Sequence, residues 1–369
     1  MQYRRMPIEI ESPEEMGYGS IECNLSESSI WDGRLGNWSK DLDPLILCYG
    51  EHRGSSQLRE LIGASCGDVG ATDVLVVPGA AAALFIVNSS LLEANSSLLV
   101  MRPNYATNIS TPRLLRCSMK YLDLKFEDRF ELDLDEVAAS LTSETRLVSI
   151  TYPHNPTGAV LSEAKLRALI ELVERRKCYL LVDETYRDLH RGTGAPLAAT
   201  LSNNAISVSS LSKAYGLPGI RMGWIVCRNR ELQELFLAAK EQIFICNSVV
   251  DEEIARRVLS EREKLLPEIR LRIDENYRIV FDWMVNHEHL EWIPPQGGVV
   301  SLPRMRAELA VNSVKFYEQL MDKYSTYVGP GHWFELSDRY FRLGYGWEGK
   351  EKLAAGLKNI TSALRESLE

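Results

Sequence analysis

Apolar residues along this chain follow two rhythms. Between about residues 70 and 230, short apolar runs alternate with stretches where apolar positions recur every three or four residues. The runs VLVVP (74–78), SLLVM (97–101), RLVSIT (146–151), CYLLVD (178–183), AISVS (205–209) and WIVC (224–227) are short, bounded by turn formers, and read as buried strands. AAAALFIVNSSLL reads as a helix opening where the first strand ends. After Ser162, the residues Leu166, Leu169, Ile170 and Val173 fall on one helical face. Strands alternating with helices predict an α/β fold built on a largely parallel sheet.

Near residue 270 the texture changes. PEIRLRIDENYRIVFDWMVNH reads as a long charged helix, followed by Pro-Pro-Gln-Gly-Gly at 294–298 and then by short strands and helices. The expected organisation is a large domain over 41–270 and a smaller α/β domain over 271–369. The segment 1–40, rich in turn formers, is expected to pack on the smaller one.

Composition narrows the function classes. With 369 residues, 45% hydrophobic and 25% charged, the chain has an ordinary globular balance and enough length for a sizeable core. A formal net charge of −9 disfavours a nucleic-acid partner. Seven cysteines without a CxxC pair suggest free thiols in a reducing compartment and no metal site. The N-terminus has no apolar signal core, and the apolar runs are too short or too interrupted to span a bilayer. A soluble cytoplasmic protein without a membrane partner is expected.

The strongest chemical signal is SVSSLSKAYGLPGIRMGW (207–224). A strand ends in small hydroxyl residues, Lys213 follows, and a Gly/Pro-rich stretch leads to Arg221. Small neighbours leave room for a bulky partner, and Ser210 with Arg221 offers donors for an anion such as phosphate. An amine desolvated beside a cation has a depressed pKa and becomes nucleophilic.

With this segment, the chain resembles the class I/II aminotransferases, the aspartate aminotransferase-like group of fold type I enzymes dependent on pyridoxal phosphate (PLP). The resemblance runs from about residue 40 to about residue 365. It implies a mixed, mostly parallel sheet flanked by helices, with a smaller α/β domain. It also implies that Lys213 binds the cofactor as an internal aldimine, while Ser210 and Arg221 hold its phosphate.

Other landmarks follow in the family's order. In LVDETYRDLH, Asp183 would pair with the pyridine nitrogen and Tyr186 with the ring's 3′-oxygen. In YPHNPTG, Asn155 would reach the same oxygen and orient the substrate carboxylate. PGAAAAL matches the phosphate turn, where backbone N–H groups at a helix start suit an anion. Here the chain departs from many relatives: Gly79, Ala80 and Ala81 replace the usual Ser or Thr, so that hydroxyl contact is missing. Tyr105 would stack on the ring, and Arg342 in FRLGYG would clamp the substrate α-carboxylate. Tyr49 in YGEHRGSSQLRELI would reach the phosphate of a neighbouring subunit, which implies a homodimer with shared sites.

Transamination between an amino acid and a 2-oxo acid is the expected reaction. PHNP also resembles C–S lyases, and PHNPTG, SKAYGLPGIRMGW and PPQGGVVSLPRM together resemble capreomycidine synthase, so elimination or cyclisation stays open. A PLP-binding regulator domain is the non-enzyme alternative, disfavoured by the presence of Lys213. Glu27 and Glu51 lie in segments that border the substrate in relatives. Each reads either as a partner for a cationic side chain or as a solvated glutamate.

Overall fold

A computed structural model describes residues 2–368 except Thr193 and Asn286. Its centre is a seven-stranded sheet. The strands are β1 (Val74–Val77), β2 (Ser97–Arg102), β3 (Ser118–Asp123), β4 (Thr145–Thr151), β5 (Tyr179–Asp183), β6 (Ala205–Ser210) and β7 (Gly223–Val226). They lie in the order β1-β7-β6-β5-β4-β2-β3. Only β7 runs against its neighbours, pairing antiparallel with both β1 and β6. The apolar runs of the sequence thus lie in one sheet, and β1 and β7 are buried at every position. A strand that is apolar throughout needs cover on both faces, and the crossover helices of an α/β fold supply it.

Two of these helices have readable causes. Helix α1 (Gly79–Leu91) starts directly beyond β1 and packs Leu84, Ile86 and Val87 into the core. Helix α2 (Glu163–Arg175) is capped by Ser162, whose hydroxyl accepts from the Lys165 N–H, and it buries Leu166, Leu169, Ile170 and Val173. The long charged helix, α3 (Arg262–Val285), begins a turn earlier than the sequence rhythm indicates and carries Pro267 within it. Pro267 is the sixth residue of this helix and lacks the N–H of a helical position, yet the helix runs through it, so the proline does not mark the boundary.

Beyond α3 a smaller antiparallel sheet joins β8 (Val300–Ser301), β9 (Gly329–Pro330) and β10 (Phe341–Gly344) in the order β8-β10-β9. The N-terminal segment is tied to the same region. Cys23–Asn24 pairs in parallel with Thr326–Tyr327. The Glu11 carboxylate accepts from Trp333 Nε1 at 2.7 Å and meets His332 Nε2 at 2.7 Å. Among the described residues, no helix is long and apolar enough to cross a membrane.

Candidate active site

The carboxyl ends of β1, β4, β5 and β6 lie on one edge of the sheet, and the reversed strand β7 begins on that edge. Residues far apart in sequence therefore gather there, at the end of a parallel sheet where ligands bind. A cavity of about 320 Å³ opens at this edge. Asp183, Ser210, Lys213 and Arg221 line it from the large sheet, with Ala80 and Ala81 of α1. Asn155, Tyr105 and Tyr186 complete the near wall. Arg342 of β10 and residues 26–28 of the N-terminal segment close the far side.

The Lys213 amine donates to Ser28 Oγ at 2.9 Å. Burial pulls its pKa below the usual lysine value, partly opposed by the Glu27 carboxylate. Asp183 is 5% exposed, and its Oδ1 accepts from the Thr185 hydroxyl at 2.6 Å and the Thr185 N–H at 3.1 Å. Burial nonetheless pushes this carboxyl above the ordinary aspartate range. A cation beside it would restore its charge, and the protonated nitrogen of a pyridine ring is such a group.

Arg342 is also 5% exposed. One of its terminal nitrogens donates to the Ser26 carbonyl at 2.6 Å and the other to Asn155 Oδ1 at 3.4 Å. Its Nε is buried without an acceptor among the described residues. Buried donors without partners are uncommon in native interiors. The guanidinium lies 5.3 Å from the Phe334 ring centroid and 5.6 Å from that of Trp333.

The turn at Gly79, expected to hold phosphate, is built from close backbone approaches. Gly79 has φ +84°, and a Cβ there would lie 2.5 Å from an Arg221 terminal nitrogen. A Cβ on Gly223 would lie 2.8 Å from the Ala80 nitrogen. The start of α1, with its unpaired N–H groups, thus faces a guanidinium across a space only glycine leaves open. This fits an anionic group bound by backbone and Arg221, without the side-chain hydroxyl that many relatives place there.

The sequence-expected residues are otherwise distributed as follows. The Tyr186 hydroxyl donates to the Ser28 carbonyl at 2.8 Å, and the Tyr105 hydroxyl to Glu9 Oε1 at 3.2 Å. Burial raises the Tyr105 hydroxyl to about 12. Ser210 Oγ accepts from the Ser212 N–H at 3.3 Å. Tyr49 is 79% exposed and stands outside the cavity wall of its own chain. Glu51 also lies outside it, bound to Arg59 at 2.9 Å and to the Ser56 N–H at 2.9 Å. Sequence reasoning missed Thr185, Ser26, Ser28, Glu9 and Glu14. The Thr two positions after Asp183 is a readable signal, because such a hydroxyl can bond the carboxylate locally. The others arrive through long-range folding of a segment without a motif.

The family profile "Aminotransferase class I and II" matches residues 43–355. The chain belongs to this family. Its members depend on PLP, and the geometry above accommodates that cofactor. A solved PLP-dependent aminotransferase from Streptococcus suis superposes with a TM-score of 0.92 at 26% identity, covering 100% of this chain and 99% of that one. The PLP-dependent cyclase OrfR superposes with a TM-score of 0.88 at 27% identity, covering 99% and 98%. Capreomycidine synthase of Streptomyces vinaceus is 29% identical over 329 residues, 88% of this chain and 83% of that protein. The protein is thus an enzyme of the PLP-dependent aminotransferase superfamily with a fold type I architecture.

Proposed function

We propose that this enzyme transfers the amino group of an L-amino acid to a 2-oxo acid, with Lys213 as the residue that binds PLP and handles the α-proton. The observation that carries this reading is the meeting of Lys213, Asp183, Asn155 and Arg342 in one buried cavity, contributed by separate strands and loops. When bound, PLP supplies an electron sink for the pair left at the α-carbon.

The side chains divide the remaining work. Arg221 and the N–H groups at the start of α1 hold the phosphate. Asp183 keeps a proton on the ring nitrogen, and Tyr186 with Asn155 serves the ring's 3′-oxygen. Tyr105 packs against the ring face. Arg342, with its unpaired buried Nε, receives the substrate α-carboxylate in a bidentate pair, and Asn155 orients it. Lys213, its pKa lowered by burial, takes the α-proton at Nζ and would deliver it across the amino nitrogen, two atoms from the α-carbon.

The same residues serve an elimination or cyclisation, and likeness to capreomycidine synthase and OrfR supports that second reading. Product counting separates the two. With a reactive amino acid and no 2-oxo acid added, transamination releases one equivalent of 2-oxo acid per site and stops, then resumes when a 2-oxo acid is supplied. Repeated turnover without an acceptor refutes it in favour of elimination or cyclisation.

A homodimer with shared sites belongs to the same proposal. Tyr49 stands beside Ile46 and Leu47, which are 75% and 76% exposed, an apolar stretch that a second subunit would cover. Mixing Tyr49→Ala and Lys213→Ala subunits would then restore activity in hybrids with one intact site. A stable, active monomer in sedimentation would refute it.

A further inference from the structure

The proposed roles use every cation on the cavity wall but leave carboxylates over. Lys213 serves the amino group, Arg221 the phosphate and Arg342 the α-carboxylate. Asp183 serves the ring nitrogen. Glu9, Glu14 and Glu27 also line the cavity, and none has a part in holding the cofactor. We propose that these carboxylates select an amino acid whose side chain ends in a cation, a guanidinium or an ammonium group, with Glu27 as its principal partner. This rests on the reading of the cavity as an amino-acid site.

The location of Glu27 carries the argument. Its two neighbours bond the two residues closest to the chemistry. The Ser26 carbonyl accepts from Arg342, and Ser28 Oγ accepts from Lys213. The Ser28 carbonyl also accepts from Tyr186. On the other side the segment is pressed against β10, since a Cβ on Gly344 would lie 1.8 Å from the Glu27 carbonyl oxygen. Glu27 is therefore held beside the reacting centre by its backbone and by its two neighbours, through contacts that do not involve its carboxylate. Among the described residues, no hydrogen bond or ion pair engages that carboxylate. Burial pushes its pKa up, partly opposed by the charges of Lys213 and Arg342.

Arg342 supplies an independent sign that the cavity is built for a ligand. It is nine-tenths buried on the same wall, and its Nε has no acceptor. The same side of the cavity thus holds a guanidinium Nε without an acceptor and, at Glu27, a carboxylate without a donor among the described residues. An α-amino acid with a cationic side chain satisfies both, and a dicarboxylic amino acid would set its second carboxylate among three others.

Glu14 and Glu9 come from two single-turn helices, Pro13–Met16 and Pro7–Ile10, that cross the cavity mouth. The strap is anchored away from these carboxylates. Ile8 packs with Trp333 and Phe334, the Tyr327 hydroxyl donates to the Glu11 carbonyl at 2.9 Å, and Trp333 donates to the Glu11 carboxylate. Glu14 carries no hydrogen bond among the described residues, whereas Glu9 takes the Tyr105 hydroxyl. Glu14, exposed at the cavity rim, is the weaker second partner for the side-chain cation.

The test compares charged amino acids with neutral isosteres on the PLP-loaded enzyme, without any 2-oxo acid. L-Arginine is set against L-citrulline and L-lysine against L-norleucine, with apparent dissociation constants read from the cofactor absorbance. A charge-assisted contact corresponds to a preference of about 10–100-fold for at least one charged member. Glu27→Gln, which keeps shape and removes charge, is expected to cut that preference about tenfold or more, the neutral isostere serving as the reference for any general change in the site. Glu14→Gln is expected to cut it by a smaller factor. Unchanged cofactor absorbance and melting temperature establish that each variant is folded. If Glu27→Gln does not fold, the wild-type ratios and Glu14→Gln decide. Ratios near one for both pairs, tighter binding of L-aspartate than of L-arginine, or a preference that survives intact in the folded variants overturns the proposal. These binding ratios are independent of the product count that tests transamination, so either reading can fail without the other.

Discussion

Replacing Gly79 by alanine adds one methyl group at the turn between β1 and α1, and the structure says what it meets. The residue has φ +84°, a region that a side-chain-bearing residue enters at a cost of about 1–2 kcal/mol. The new Cβ would lie 2.5 Å from a terminal nitrogen of Arg221 and 3.1 Å from its central carbon, so the guanidinium must withdraw. Arg221 is itself held by a 2.9 Å hydrogen bond to the Pro218 carbonyl. Moving it sacrifices that bond or the approach to the cofactor phosphate. Loss of one charge-assisted hydrogen bond amounts to about 1.5–3 kcal/mol, or roughly 10–150-fold in cofactor affinity. The assay is titration of apo-enzyme with PLP, followed by absorbance, alongside thermal melts of both forms. The expected result is a dissociation constant raised by at least about tenfold, with a fall of only a few degrees in the apo-enzyme melting temperature. Unchanged affinity in Gly79→Ala would refute the assignment of this turn and Arg221 to the phosphate. A collapse of the apo-enzyme without a specific loss of affinity would show the turn to be merely structural.

Two further expectations follow from buried titratable groups. Burial raises the Asp183 carboxyl, so its ionisation penalises the apo-fold above the folded pKa, and the penalty vanishes below the ordinary aspartate value of about 3.9. Asp183→Asn, which keeps an acceptor for Thr185, should therefore stabilise the apo-enzyme at pH 7 and lose that advantage towards pH 4. It should also weaken PLP binding by about tenfold or more. Denaturant melts across pH check this, and a stability gap that widens on acidification would count against it. His154 is held neutral, with Nε2 donating to the Pro103 carbonyl at 2.8 Å and Nδ1 meeting the Thr157 hydroxyl at 2.7 Å. Burial lowers it to about 4. A histidine lowered in the fold contributes stability that is present above about pH 6.5 and lost as pH falls towards 4, here about 3 kcal/mol. His154→Gln should flatten that part of the pH–stability curve, and a curve identical to wild type would refute it.

Six of the seven strands of the large sheet were legible from the sequence because each is a local run of apolar residues, whereas the edge strand β3 is mostly exposed or half-buried and was not read. The Gly79 turn, Asp183, Asn155 and the lysine segment stood out through motifs that resemble the family's, and the structure brings Asp183, Asn155 and Lys213 to one cavity. The sequence alone did not reveal that β7 runs against its neighbours, because WIVC reads the same in either direction. It also left Glu27 and Glu51 equivalent. Tertiary structure separated them, giving Glu51 to Arg59 and turning Glu27 into the cavity between the residues that bond Arg342 and Lys213. The N-terminal strap carried no motif, yet Ile8 and Glu11 dock it on Trp333 and place Glu9 and Glu14 at the cavity mouth. Contacts across more than three hundred residues depend on where the whole chain brings its surfaces together. Local propensity records only what a segment prefers on its own.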